Sequence, residues 1–388
     1  MIRVLLEVSS FDKIGMKKVV IIQRIVPHYR LKIFDYLSKE YDLRVLSTNF
    51  MNSVSKEVYN RDYINNVGYL KYSKNEYSFI LNTFYPVLKF KPDVVIHEFS
   101  LGIISLIPTF IMSKIFGIKF ILWGHSFNLK KGFHPSSSFK DFLRLKLIKF
   151  VDQTILYGEN QANEISKHLK DPKLTVANNT LDTNYLKNLR ISLEKKGIEK
   201  IKNEISFDKK INLIFIGRIL KDKKPEICLK ILKDYIEKYD NDILLHFVGD
   251  GDYLSTLTSI CIKEGLNNNV KFHGRAHDSE ITSKLLFCSD LMIMPGYLGL
   301  SIIHSFCFDC PVVSFAQTKN GPFHSPEVSN IKQGKTGFLA NDYNEMKDFV
   351  FRYLDKSIDQ DYFKENIRHC IDNDASLDKM IEGFRKCI

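Results

Sequence analysis

Two cations follow directly on an apolar, β-branched run. In "INLIFIGRILKDKK" the run Ile211–Ile216 ends in Gly217-Arg218, and Lys223 comes shortly after. An arginine offers phosphate oxygens a bidentate fork and a lysine a point charge. Fixed at a strand end, the pair can stabilise negative charge on a phosphorylated ligand without a metal ion. A second element of this kind is "DLMIMPGYLGLSIIHSF": an apolar run, a turn containing Gly296 and Gly299, and an apolar helix opening at Leu300-Ser301. Free N–H groups at a helix opening favour anions, and glycine lets the backbone approach them closely. Inside that helix stands His304, which can hydrogen-bond in either tautomer. Glu327 follows Pro326 in a loop after the next strand.

Other residue groups invite chemistry and read differently. The Asp-x-Asp of Asp250 and Asp252 resembles a metal pair, but it stands between a strand and a helix, where aspartate caps and glycine turns. No essential divalent ion is expected. Cys307 and Cys310 form a lone C-x-x-C in an apolar helix end and read as buried thiols. Seven cysteines, none before Cys228, show no framework spacing and point to a reducing compartment.

These groups need strands to carry them and helices to cover the strands. From Met16 the chain reads strand, loop with Pro27, amphipathic helix, strand, and residues 1–15 look like an appendage. "DVVIHEF", "KFILWGHS" and "QTILYGE" continue as short strands separated by helical text, and "KLTVANNTLDT" closes the series. A fresh series follows: "INLIFIG", "DILLHFVGDG", "NVKFHG", "DLMIMPG" and "PVVSF". The reading is α/β with two parallel sheets. One Rossmann-like domain spans residues 1–195, a linker 196–208, a second domain 209–360, and a C-terminal helix in 361–388 packs back toward the first domain. In such enzymes ligands sit at the carboxyl ends of the strands, in a cleft.

A chain of 388 residues with 44% hydrophobic and 26% charged residues has the composition of a folded protein of two domains. The apolar run Phe99–Met112 contains Pro108, falls short of the ~20 residues of a membrane helix, and reads as a helix buried under a sheet. No secretory signal is evident at the start. Residues 1–200 hold 31 Lys+Arg against 18 Asp+Glu, and residues 201–388 hold 25 against 27, so the excess of +11 is N-terminal. Such asymmetry fits an anionic partner. In Phe139–Phe150, Phe139, Phe142, Leu143, Leu147 and Phe150 share a helical stripe, with Lys140, Arg144 and Lys149 off it. That helix reads either as lying on anionic lipid, at about 1 kcal/mol per basic residue near the surface, or as packed on its domain with snorkelling lysines.

"FIGRILKDKKPEICLKIL", "LHFVGDGDYLSTL", "VKFHGRAHDSEITSKLLFCSDLMIMPG" and the glycine turn after it resemble, in order and spacing, the elements of family 4 glycosyltransferases with the GT-B fold. "VANNTLDT" is similar to that family's interdomain element, with Asn179 and Asp182 in place. The resemblance implies a retaining enzyme that moves a sugar from a nucleotide-diphosphate donor to a glycan or lipid-linked glycan hydroxyl. Arg218 and Lys223 would stabilise the departing diphosphate, and His125, past "ILWGHSFN", would lie near donor sugar and acceptor. Gly217, Gly274, Arg275, Gly296, Gly299, Leu300, Ser301, His304 and Glu327 would bind the donor. His28, Tyr29, Arg30 and Glu98 are candidates for lining the acceptor side. The family's usual helix carries two glutamates with seven residues between them, and here those places are Gly296 and His304. The expectation is a substituted donor site, with His304 at the ribose clamp and a carboxylate from Glu327.

The expected context is surface polysaccharide synthesis on a polyprenyl-diphosphate-linked acceptor, by a cytoplasmic protein peripheral to an anionic membrane face, with no cofactor. Two rival readings are a nucleotide-sugar epimerase using Glu98 and Glu327 as acid and base, and a non-catalytic partner with a decayed donor site. Nucleic acid does not fit, because the basic half has no groove helix or stacking motif.

Overall fold

Strands form where the chain is apolar on both sides, and both sheets are fully parallel apart from one small hairpin. The computed structural model describes residues 15–48, 60–71, 79–239, 241–275 and 279–388. The expected appendage at residues 1–15 lies, save Gly15, outside them. Two compact units result, residues 1–178 with 378–388 and residues 179–377.

In the first unit the strands are β1 (Lys18–Ile22), β2 (Asp42–Ser47), β3 (Ile64–Asn66), the hairpin β4 (Tyr69–Lys71) and β5 (Phe79–Leu81), then β6 (Val94–Glu98), β7 (Lys119–Gly124), β8 (Gln153–Leu156) and β9 (Leu174–Val176). Seven of them form one sheet in the order β3-β2-β1-β6-β7-β8-β9. β1 is buried along Val19–Ile22, as a strand covered on both faces must be. The strand order reverses between β1 and β6, so the crevice lies at their carboxyl ends.

The second unit repeats the plan with β10 (Ile211–Ile216), β11 (Ile243–Val248), β12 (Val270–Phe272), β13 (Leu291–Ile293), β14 (Val312–Phe315) and β15 (Gly337–Ala340), in the order β12-β11-β10-β13-β14-β15. Its reversal falls between β10 and β13, the strands that lead into Gly217-Arg218 and Gly296.

The division along the chain differs from the sequence reading. It falls at Asn178/Asn179, because the helix Thr183–Lys196 packs into the second core through Leu186 and Leu193. The segment read as a linker, 196–208, is structured: Ile198–Glu204 is a helix with Ile201 buried, and Phe207 is buried too. Near the C-terminus, Gln360–Asn373 stays with the second unit, where Arg368 pairs with Asp309 and Lys187 with Asp372. Only residues 378–388 join the first unit. There Phe384 stacks edge-on against Trp123 at 4.8 Å, Arg385 Nε donates to Glu40 at 2.8 Å, and Gly383 lies so close to Ala177 that an added Cβ would sit 2.7 Å from its Cβ.

Candidate functional site

Arg218 and Lys223 stand at the carboxyl end of β10, and among the described residues neither forms a salt bridge with a carboxylate. Arg218 is exposed. The Lys223 ammonium lies half-buried against Met294 Sδ at 3.7 Å and over the Tyr297 ring at 5.4 Å. Burial, and then the charge of Arg218, push its pKa down to about 8, while Asp222 pulls the other way. Two neighbouring cations at a strand-end crevice, neither of them in a salt bridge among the described residues, are an arrangement that can receive an anion.

The backbone around them is packed to contact. A Cβ on Gly249, whose φ is +144°, would lie 1.9 Å from the Gly217 carbonyl oxygen. A Cβ on Gly296 would lie 2.3 Å from Lys223 Cα, and the Gly296 N–H donates to the Lys223 carbonyl at 3.0 Å. A glutamate therefore has no room at 296 while the lysine turn holds its position. Gly299 differs: a Cβ there would meet nothing closer than 3.8 Å.

The turn from Gly296 to Gly299 is stitched to the segment before Glu327. The Leu298 N–H donates to His324 Nδ1 at 3.2 Å, and His324 Nε2 contacts the Phe315 carbonyl at 2.8 Å. The two bonds together fix the tautomer with the proton on Nε2, and burial holds the ring neutral. Ser325 N–H returns a bond to the Leu298 carbonyl at 3.0 Å, and Tyr297 hydrogen-bonds Ser325 through their hydroxyls. His324 had no sequence signal beyond its type.

The helix after the turn is short, Ser301–Phe306, with Leu300 at its start. His304 lies on it with Nε2 buried and without a hydrogen-bond partner, its ring 5.8 Å from Phe308, and burial pushes its pKa down to about 4. It is therefore neutral at pH 7. Packed against this helix is the turn Pro326–Asn330, where Glu327 is buried and accepts from Asn179 Nδ2 at 2.5 Å. Asn179 thus positions Glu327, and Asp182 caps the next helix through Tyr185 N–H at 3.1 Å.

Gly274 and Arg275 follow β12 at the same sheet edge. The Gly274 carbonyl accepts from Gly249 N–H at 2.8 Å, and exposed Arg275 lies 3.8 Å from Asp250. The aspartate pair departs from the capping expectation. Asp250 accepts from Gly251 N–H at 2.8 Å, while the helix Leu254–Lys263 starts at Tyr253 with no side-chain cap. The tight turn under Ile219 brings the helix in too late for either aspartate to reach its first N–H groups. Cys307 and Cys310 are buried thiols with pKa values raised by burial.

In the first unit the candidates gather at the carboxyl ends of β1, β6, β7 and β8. Glu98 accepts three hydrogen bonds from Arg24, at both oxygens: from the Arg24 N–H and Nε at 2.8 Å each and from Nη2 at 2.5 Å. Burial raises its pKa, but Arg24 and Arg30 outweigh burial and hold it below the ordinary value. An ionised carboxylate holding three such bonds is a poor general acid, which weighs against the epimerase reading. Arg30 Nη2 donates to the Tyr157 hydroxyl at 2.5 Å, and its guanidinium lies 4.7 Å from the Trp123 ring. His125 is exposed and packs edge-on against Tyr157 at 4.8 Å; the crowding around its inner side and then Arg30 push its pKa down, by less than a fully enclosed ring would feel. His28 is exposed beside Tyr29. Arg24, Trp123 and Tyr157 escaped sequence reasoning. So did Gln23, wholly buried at the end of β1 with both side-chain polar atoms unpartnered.

The helices on this unit also correct two expectations. Leu106–Ile115 is not buried: Leu106, Thr109 and Met112 face the sheet while Ile111 and Ile115 are exposed. On Phe139–Phe150 the stripe divides, with Leu147 inward and Phe139, Phe142 and Phe150 outward. Asp141 and Ile148 define the buried side, so the phenylalanines are on the side away from the sheet.

Residues 197–370 match the family described as Glycosyl transferases group 1. Over 304 residues the chain is 27% identical to the uncharacterized glycosyltransferase MJ1059 of Methanocaldococcus jannaschii, covering 71% of each chain. Among solved structures, a glycosyltransferase from Rickettsia africae superposes with a TM-score of 0.72 at 16% identity, covering 96% of this chain and 97% of that one. Anabaena Alr3699/HepE in complex with UDP gives a TM-score of 0.70 at 15% identity, with coverage of 95% and 98%. At such identities the structural likeness speaks for the fold alone.

Proposed function

We propose that the chain is a GT-B glycosyltransferase of the group 1 kind that its second unit matches, a retaining enzyme transferring a sugar from a nucleoside diphosphate donor to a glycan hydroxyl. The observation that carries this reading is the pair Arg218 and Lys223 at the β10–β13 crevice, neither in a salt bridge among the described residues. When the anomeric C–O bond breaks, charge collects on the departing diphosphate. Two fixed cations lower the energy of that state without a metal. Arg275 and the Gly274 turn would hold the base side, and Gly299, Leu300 and Ser301 the phosphate side. His304, neutral with a free Nε2, would hydrogen-bond the ribose, beside a Glu327 steadied by Asn179. His125, with Arg30, Tyr29 and His28, would face the acceptor. The acceptor is a polyprenyl-diphosphate-linked glycan of surface polysaccharide synthesis, reached at the anionic inner face of the cytoplasmic membrane.

A panel of nucleoside diphosphates, read by thermal stabilisation and calorimetry, tests the donor half. Uridine diphosphate is the first to try, because Anabaena Alr3699/HepE is described in complex with it. Binding by the parent chain, with His304→Ala and Glu327→Gln each weakening it several-fold, supports a substituted donor site. No stabilisation by any member would favour the non-catalytic reading. The anomeric configuration of the product, read by NMR, tests retention.

A further inference from the structure

One helical layer of the first unit has an outer side that does not turn polar. Helices Phe84–Phe90, Leu106–Ile115 and Phe139–Phe150 cover the same face of the sheet and share one core through Val87, Leu106, Met112, Leu147 and Ile148. Away from that core they expose Tyr85, Ile111, Ile115, Phe139, Phe142 and Phe150. Thirteen of the 21 exposed large apolar side chains among the described residues belong to this layer, its loops and the β4–β5 hairpin beside it. Scattered exposed apolar residues need no explanation, but such a concentration does.

The helix Phe139–Phe150 shows the pattern most sharply. Phe139, Phe142, Lys146, Lys149 and Phe150 fall within an arc of about 100° at the helical period, and all five are exposed, Phe139 at 78% and Phe150 at 60%. Lys146 Nζ lies 5.2 Å from the Phe142 ring. Its C-terminal end is tied to that of Leu106–Ile115, where Ile115 is 73% exposed, by Lys114 and Asp152 at 2.8 Å. The apolar stretches of the two helices are therefore neighbours.

Charge decides what such a surface fits. The three helices carry six basic residues and one acid, Asp141, which is buried and paired with Arg144 at 2.6 Å. A second copy of the chain would bring lysines against lysines with no exposed acid on these helices to receive them. An anionic bilayer offers phosphates to the ammonium groups and an acyl boundary to the rings. We propose that this layer is a docking face for anionic phospholipid, with Phe139, Phe142, Phe150, Ile111 and Ile115 entering the headgroup–acyl boundary and Lys146 and Lys149 on the lipid phosphates. The proposal rests on the membrane-located acceptor described above and specifies which surface meets the lipid.

Vesicle co-sedimentation of the full chain tests it, using phosphatidylcholine with and without phosphatidylglycerol. The parent should bind the anionic vesicles, more weakly as salt rises. The triple variant Phe139→Ser/Phe142→Ser/Phe150→Ser should lose at least tenfold in partition, and Lys146→Glu/Lys149→Glu a comparable amount, with melting temperature and nucleotide affinity unchanged. A parent that binds while both variants bind equally well would overturn the assigned face and leave the membrane reading standing. A parent that binds neither vesicle would overturn both. A parent that sediments as a dimer, dissociated by the phenylalanine variant and indifferent to lipid, would make the face an interface between copies instead.

Discussion

The strand order of the two sheets reverses at corresponding places, yet the arginines there are treated in opposite ways. After β1, Arg24 meets the carboxylate of Glu98 at the end of β6. After β10, Arg218 meets no carboxylate among the described residues, and the turn beyond β13 carries Gly296, packed against Lys223 with no space for a side chain. Net charge runs the other way: the unit with the paired arginine holds 29 basic and 17 acidic residues, and the unit with the bare cations 27 and 28. In the proposed reading, local pairing rather than net charge marks the diphosphate site. In the first unit's crevice Arg24 is cancelled by Glu98 while Arg30 is held by the Tyr157 hydroxyl, and the unit's surplus charge includes the lysines of the outer helical layer.

The largest effect should come from removing the bare cations. Arg218→Ala and Lys223→Ala should each lower turnover about 10²- to 10³-fold with the melting temperature kept, and rates within a few-fold of the parent would break the comparison. Next, Gly296→Ala should destabilise the second unit by about 1–3 kcal/mol through overpacking and weaken nucleotide binding by shifting Lys223, as denaturant melts and calorimetry would report. Gly296→Glu should be worse, although the family's usual helix has glutamate at that place.

On the paired side, Glu98→Gln removes the counter-charge from a half-buried Arg24 and should cost about 1–3 kcal/mol while leaving nucleotide affinity alone. The folded Glu98 titrates below its ordinary value, so the stability it confers is present above that value and lost as pH falls through the folded one. The gap between parent and variant should therefore close in acid. The smallest effect is a pH slope. Lys223 loses its proton above about 8, so diphosphate affinity should fall by up to tenfold per pH unit beyond that point. Lys223→Arg, always charged, should flatten the profile, and an unchanged slope in that variant would remove Lys223 from the site.

The sequence by itself determined the two parallel sheets, since runs such as "INLIFIG" and "DILLHFVG" leave no helical period to follow and end in the glycines of strand-end turns. It also placed Arg218 at a strand end, because a cation that follows a strand so directly has a fixed position, whereas the seat of Lys223 depends on its packing against Met294 and Gly296. Tertiary structure alone decided which charges are cancelled. Arg24 and Glu98 lie 74 residues apart, Asn179 and Glu327 148 apart, and no local pattern pairs such groups. It decided as well which side of Phe139–Phe150 faces out, since its stripe mixes inward Leu147 with outward phenylalanines and only the neighbouring core selects between them. Spacing along a chain fixes which side chains share a stripe, but burial is a property of what packs against it.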